Sequence, residues 1–144
     1  MSTEYEAKVA AKFEHEGVTC LVLHMPGVSI ARQAPYHTGY INIANELHPW
    51  WGKHYNEIFS EVKVHGGLTY SEVMAPDQAQ PNGWWIGFDT KRLGDGPEEK
   101  ALAYAVEQCK LMATQAVAAA VEQGKLWLVR ASAEKPEWEG GLVV

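Results

Sequence analysis

Val62-Lys63-Val64-His65-Gly66-Gly67-Leu68-Thr69-Tyr70 and, after a polar connection, Trp84-Trp85-Ile86-Gly87-Phe88-Asp89 are the runs whose reading decides the fold. Both are short, apolar and rich in β-branched and aromatic residues, the composition of strands. The connection from Ala75 to Gly83 contains Pro76, Pro81, Asn82 and Gly83, which interrupt regular structure and make turns. The pattern predicts strand, loop, strand. The strand ends carry unusual chemistry: His65 stands directly before a Gly-Gly pair, and Asp89 closes an alternation of aromatics with glycine. Glycine in or beside a strand puts no Cβ in the way, so backbone or ligand can approach closely. A site is expected here.

Toward the N-terminus, Lys8-Val9-Ala10-Ala11-Lys12-Phe13-Glu14 suits a strand, because Glu16-Gly17 then turns tightly into Val18-Thr19-Cys20-Leu21-Val22-Leu23-His24. That second run is β-branched, apolar and short, the profile of a central strand. Met25-Pro26-Gly27 ends it. Residues 28–37 show no period and read as loop, with Tyr36 and His37 leading into a strand over Tyr40-Ile41-Asn42-Ile43-Ala44. Pro49 and Gly52 predict a turn that presents Trp50 and Trp51, and Tyr55 to Glu61 has room for a turn or two of helix.

Toward the C-terminus, Asp95-Gly96-Pro97-Glu98-Glu99 is a helix start: a capping residue, Pro at the first helical position, then acids in the first turn. Leu102, Val106, Cys109, Ala113, Ala116 and Ala120 recur at helical spacing, and Gly124 is a natural stop. The alanine-rich face predicts a close neighbour, either a sheet surface or a partner helix. Lys125-Leu126-Trp127-Leu128-Val129-Arg130 reads as a last strand, and residues 134–144 as a loose tail. No repeat, low-complexity block or linker interrupts the chain. Residues 1–144 are therefore expected to form a single α+β domain, mainly an antiparallel sheet packed against one long C-terminal helix.

A formal charge of −6, with Lys and Arg scattered, argues against nucleic acid, whose binding rests on clustered cations that neutralise phosphates. No apolar run approaches the roughly 20 residues of a membrane helix. Met1-Ser2-Thr3-Glu4-Tyr5-Glu6 is acidic and polar, unlike a secretory signal. Cys20 and Cys109 lie far apart within apolar patterns and read as reduced, buried thiols, so a cytoplasmic setting is expected. Nothing calls for a cofactor.

The segments Val64 to Tyr70 and Trp84 to Asp89, together with Gly39-Tyr40-Ile41, His48-Pro49 and Gly52-Lys53, resemble a family of small, largely uncharacterised phage and prophage proteins. The likeness covers roughly residues 18 to 120. It implies a genomic setting, and hence the cytoplasm of a host cell, but no established activity. The family often places a histidine before Gly-Asp after its Phe-Asp segment. Here Thr90-Lys91-Arg92-Leu93 precedes Gly94-Asp95, so a ligand or base at that position is missing.

Three chemistries are open. His48, His65, Asp89 and Asp95 are candidates for a metal or acid/base cluster, although their spacing matches no compact ligand motif, and no metal site is assigned. The bland alternative has His65 and Asp89 hydrogen-bonding backbone amides to hold the Gly-Gly turn. The pairs Trp50-Trp51 and Trp84-Trp85 can each bury one ring and offer the other for stacking or for an interface, since neighbours on a strand point to opposite faces. Gly66-Gly67 could offer amides to an oxyanion, with Lys63, Lys53 or Arg92 nearby, although no P-loop ending follows. The acidic helix start is no phosphate site, and no Gly-x-Ser-x-Gly elbow supports nucleophilic catalysis.

These features lead to a non-enzymatic binder of a nucleotide-type small molecule, working as a homo-oligomer. Its expected binding residues are His65, Gly66, Gly67, Thr69, Trp84, Trp85, Asp89, Trp50, Trp51, Lys53 and Arg92. The phage setting implied by the resemblance makes sequestration of a host nucleotide immune signal the expected role. A nucleotide hydrolase using His65 and Asp89 is the alternative, and an inhibitor that binds a host protein through a tryptophan-rich surface is the third reading.

Overall fold

The computed structural model describes residues 7–27, 34–73, 75–77, 80, 83–90 and 101–122. Within them run β1 (Lys8–His15), β2 (Val18–Met25), β3 (Tyr36–Ile43), α1 (Tyr55–Ile58), β4 (Tyr70–Glu72), β5 (Trp84–Asp89) and α2 (Leu102–Glu122). The expected helix start at Asp95–Glu99, the stop at Gly124, the strand over 125–130 and the tail from 134 lie outside the described residues. The strands form one sheet in the order β1-β2-β3-β5-β4, with every neighbouring pair antiparallel. With α2 packed on it, this is an α+β fold.

Local chemistry explains most boundaries. Glu16 and Gly17 both take positive φ, 52° and 84°, the two-residue turn whose twist suits a hairpin, and they join β1 to β2. β3 begins at Tyr36, earlier than its alternation suggests, because Tyr36 and His37 pair with Met25 and His24 of β2. α1 is one turn long and capped on both sides of its start. The Asn56 N–H donates to His54 Nδ1, and the His54 N–H donates to Glu57 Oε2.

The strand expected over 62–70 is not formed; only Tyr70–Glu72 pairs, with β5. Gly66 and Gly67 take φ of 68° and 81°, and the Gly67 N–H donates to the Val64 carbonyl at 2.9 Å, so the chain turns back there. Val62 and Leu68 drop into the core on either side of that turn. The apolar pattern reflects a plug at the sheet's end, not an extended ladder.

The two faces of the sheet differ. One presents Val18, Cys20, Val22, Ile41, Ile43, Ile86 and Phe88 to Ala105, Cys109, Met112, Ala113 and Ala116 of α2. Each fully buried aliphatic or aromatic side chain there contributes about 1.5–3 kcal/mol. Gly39 sets how close the helix lies: a Cβ there would stand 2.4 Å from Phe88 Cε1 and 2.6 Å from Cys109 Sγ. The alanine-rich face of α2 thus serves the sheet and not a partner helix. The other face carries Leu21, Leu23, Tyr40 and Trp85, with Met25, Tyr70 and Ala75 against them. β2 is buried on both faces, which accounts for its unbroken apolar run. Among the described residues, no helix is long and apolar enough to cross a membrane.

Candidate functional site

The clearest concavity on the second face is made by an absence. Across β3, β5 and β4 the register aligns Tyr40, Gly87 and Tyr70 in one row. Because Gly87 fills none of the space between its neighbours, the rings of Tyr40 and Tyr70 meet edge to face across it, centroids 5.1 Å apart. A Cβ on Gly87 would fall 2.4 Å from Tyr40 Cδ2 and 2.6 Å from the Gly39 carbonyl oxygen. In the next row Thr38 pairs with Asp89, and Tyr36 follows two residues back on the same face of β3. Tyr36, Thr38, Tyr40, Thr69, Tyr70 and Asp89, with Phe88, line a space of about 330 Å³.

Among the described lining residues, the polar side chains are hydroxyls and one carboxylate. Thr69 Oγ1 donates to Asp89 Oδ2 at 3.2 Å, while the Thr69 N–H donates to the Gly87 carbonyl, fixing the rim to β5. Burial pushes the Tyr40 phenol up to about 12; Tyr70, Tyr36 and Asp89 push it the same way, against a favourable contact from the Thr38 hydroxyl. Burial also raises Tyr70, with Glu72 adding to the shift. Thr38 Oγ1 is shielded from solvent and, although close to that phenol, makes no well-formed hydrogen bond among the described residues. Both phenols stay protonated at neutral pH. The described lining contains no Lys or Arg.

The residues expected from the sequence are distributed over several places. Thr69 and Asp89 belong to the concavity. His65 is engaged on the helix side: its N–H donates to Gln108 Oε1 at 2.8 Å, and its Nδ1 lies 2.9 Å from the Tyr104 hydroxyl. Its ring also stands edge-on to Tyr104. Gly66 and Gly67 form the turn beside it, where the Phe59 ring occupies the space a Gly67 Cβ would need, 2.3 Å away. With its N–H given to Val64, Gly67 offers no free amide to an oxyanion. Trp85 is fully buried under the second face. Trp84 points the other way, donates Nε1–H to the Lys53 carbonyl at 3.1 Å and lies 5.7 Å from the Trp51 ring. Trp50 is buried in the helix-side core. Arg92 and Asp95 lie outside the described residues.

His65 and Asp89 are therefore not brought together: one ring is engaged with α2, and the other side chain opens on the opposite face of the sheet. His65 meets Gln108 and Tyr104, and Asp89 accepts from the Thr69 hydroxyl. His48 is structural. It is buried, accepts from the Trp50 N–H at Nδ1 (3.0 Å) and donates from Nε2 to the Ala116 carbonyl (2.9 Å). Burial lowers its pKa, opposed by the Ala116 bond. Among the described residues, no three His, Cys, Asp or Glu side chains group to hold a metal.

Tyr36, Thr38, Tyr40 and Tyr70 were not singled out from the sequence. Two signals for them were present: hydroxyl-bearing residues at alternate positions 36, 38 and 40, and a glycine inside the aromatic strand 84–89. Comparison with family models, curated proteins and solved structures gives no match for this chain.

Proposed function

We propose that this chain binds a small nucleotide-type molecule and acts by holding it, as a phage- or prophage-encoded sponge for a nucleotide immune signal of its host. The observation that carries this reading is the tyrosine-lined concavity opposite the helix, with Asp89 and Thr69 at its rim. Aromatic walls take up a flat heterocycle, and a few fixed polar groups orient it. The space of about 330 Å³ suits a base with part of its sugar, at the low end for ligand pockets. The phage setting rests on the likeness of the segments 64–70 and 84–89, and the action as a homo-oligomer in the host cytoplasm is part of the same proposal.

Holding is favoured over hydrolysis because His65 and Asp89, the pair a hydrolase would use, face opposite sides of the sheet. The test is depletion and recovery. Protein is mixed with a panel of cyclic dinucleotides and cyclic ADP-ribose-type molecules, filtered, then heat-denatured, with chromatography at each step. A compound that leaves the filtrate and returns unchanged supports the sponge. One that returns as another species makes the chain an enzyme. If nothing is depleted or converted, the nucleotide reading is refuted and inhibition of a host protein takes its place.

A further inference from the structure

We infer that the outer edge of β1 is an interface, and that its partner is the same edge of a second copy of this chain. The inference rests on the homo-oligomer part of the proposed function and does not depend on the ligand. β1 is an edge strand of the sheet, and among the described residues it pairs with β2 alone. An open edge presents a row of N–H and C=O groups on which another strand can pair. β4, at the opposite edge, has three residues, whereas β1 has eight. β1 is the edge long enough to carry a new ladder.

The hairpin limits the registers that ladder can take. His15 and Val18 flank the two-residue turn at Glu16-Gly17 and spend their backbone groups on each other. By alternation Phe13 and Ala11 also bond to β2, while Lys12 and Glu14 aim their N–H and C=O groups outward. The register shift between Val9 and Ala11 breaks this alternation, so a new ladder is confined to residues 11–15. Two antiparallel copies of that stretch can be centred on Lys12, Phe13 or Glu14. Centred on Lys12 or Glu14, two like charges stand directly opposite, which is unfavourable. Centred on Phe13, all five residues pair, and Lys12 of each copy faces Glu14 of the other. The contact is then self-complementary and closes at two copies.

The side chains agree with that register. Lys12 and Glu14 are both exposed, and their neighbours on β2, Leu21 and Thr19, carry no charge. Among the described residues, neither takes part in an ion pair. Phe13, half-buried against the helix-side core, meets its own copy at the two-fold axis. Opposed residues of a non-hydrogen-bonded pair have Cα atoms about 4.5 Å apart, near enough for two rings to pack. A lysine on an edge turns foreign strands away, but here Glu14 supplies the opposite charge in a second copy. The ladder is short, so association is weak and depends on concentration.

The experiment is sedimentation velocity of the full chain over about 5 to 300 µM, which should show a monomer–dimer equilibrium that weakens from about 50 to 500 mM KCl. Lys12→Glu and Glu14→Lys should each weaken dimerisation by at least about tenfold, with circular dichroism like that of the parent. Mixed together, the two single variants should associate within about threefold of the parent, because each again faces its opposite. The variant carrying both changes should dimerise equally well. Single variants that fail to associate on mixing, or an oligomer that neither change weakens, would overturn the β1 interface and leave the homo-oligomer standing. A parent chain that stays monomeric throughout would overturn both, while the nucleotide reading is decided separately by depletion and recovery.

Discussion

His48 offers the sharpest check on how the structure holds itself together. Its ring is used at both nitrogens in the neutral form: Nδ1 accepts from the Trp50 N–H, and Nε2–H donates to Ala116 of α2. Protonation would place a second donor against the Trp50 N–H, and burial disfavours the charge as well. The folded pKa is accordingly below that of the unfolded chain, about 6.5. Between those two values the unfolded chain holds a proton that the folded chain does not, so stability rises with pH across the window. The stabilisation is fully present above about pH 6.5 and is lost as pH falls toward the folded pKa, with a limiting slope of about 1.4 kcal/mol per pH unit.

Replacing the ring tests the same geometry. His48→Phe keeps the volume but leaves the buried Trp50 N–H without an acceptor, at a cost of about 1–3 kcal/mol. The Ala116 carbonyl stays within the α2 ladder and adds about 1 kcal/mol from the bond it loses. At about 3 °C per kcal/mol for a chain of this size, the melting temperature should fall by about 6–12 °C at pH 7.5. His48→Asn, whose carbonyl can reach the Trp50 N–H but not Ala116, should fall by less. Thermal unfolding from pH 5 to 8 reads both effects, and ¹⁵N NMR of the imidazole reads the tautomer. The reasoning fails if His48 protonates above pH 6.5 in the folded protein, or if His48→Phe melts within 2 °C of the parent with the same pH dependence.

Gly39→Ala should destabilise by about 1–3 kcal/mol or more, because its Cβ meets Phe88 and Cys109; an unchanged urea midpoint would show that α2 lies farther from the sheet. Burial pushes the Cys20 thiol up to about 12 and Cys109 higher still, so a thiol-reactive disulfide should label the native protein at pH 8 at least about a hundredfold more slowly than the guanidinium-unfolded chain. Rapid labelling of both thiols in native protein would contradict their place between sheet and helix. Tyr104→Phe removes the bond to His65 and should cost about 0.5–1.5 kcal/mol while leaving ligand uptake unchanged; a tenfold loss of uptake would place His65 in the site after all.

The fold class was legible because local signals agreed with one another. The apolar run 18–24, the tight turn at Glu16-Gly17, the aromatic strand 84–89 and the helical period from Leu102 to Ala120 each depend on near neighbours, and each forms where expected. The segment 62–70 misled because an apolar run shows that residues are buried without showing that they pair, and positive φ at two glycines turned it into a plug. Asp89, Thr69 and the glycine of the aromatic strand were also visible as candidates. Their partners were not: Tyr36, Thr38 and Tyr40 come from β3, some fifty residues from Asp89, and only the register of β3 on β5 sets them beside it. The same alternation that marked Trp84 and Trp85 as opposed could not say which face α2 would cover. Tertiary packing decided that: His48, His65 and Trp50 lie on the side that α2 covers, and the hydroxyls with Asp89 line the other face.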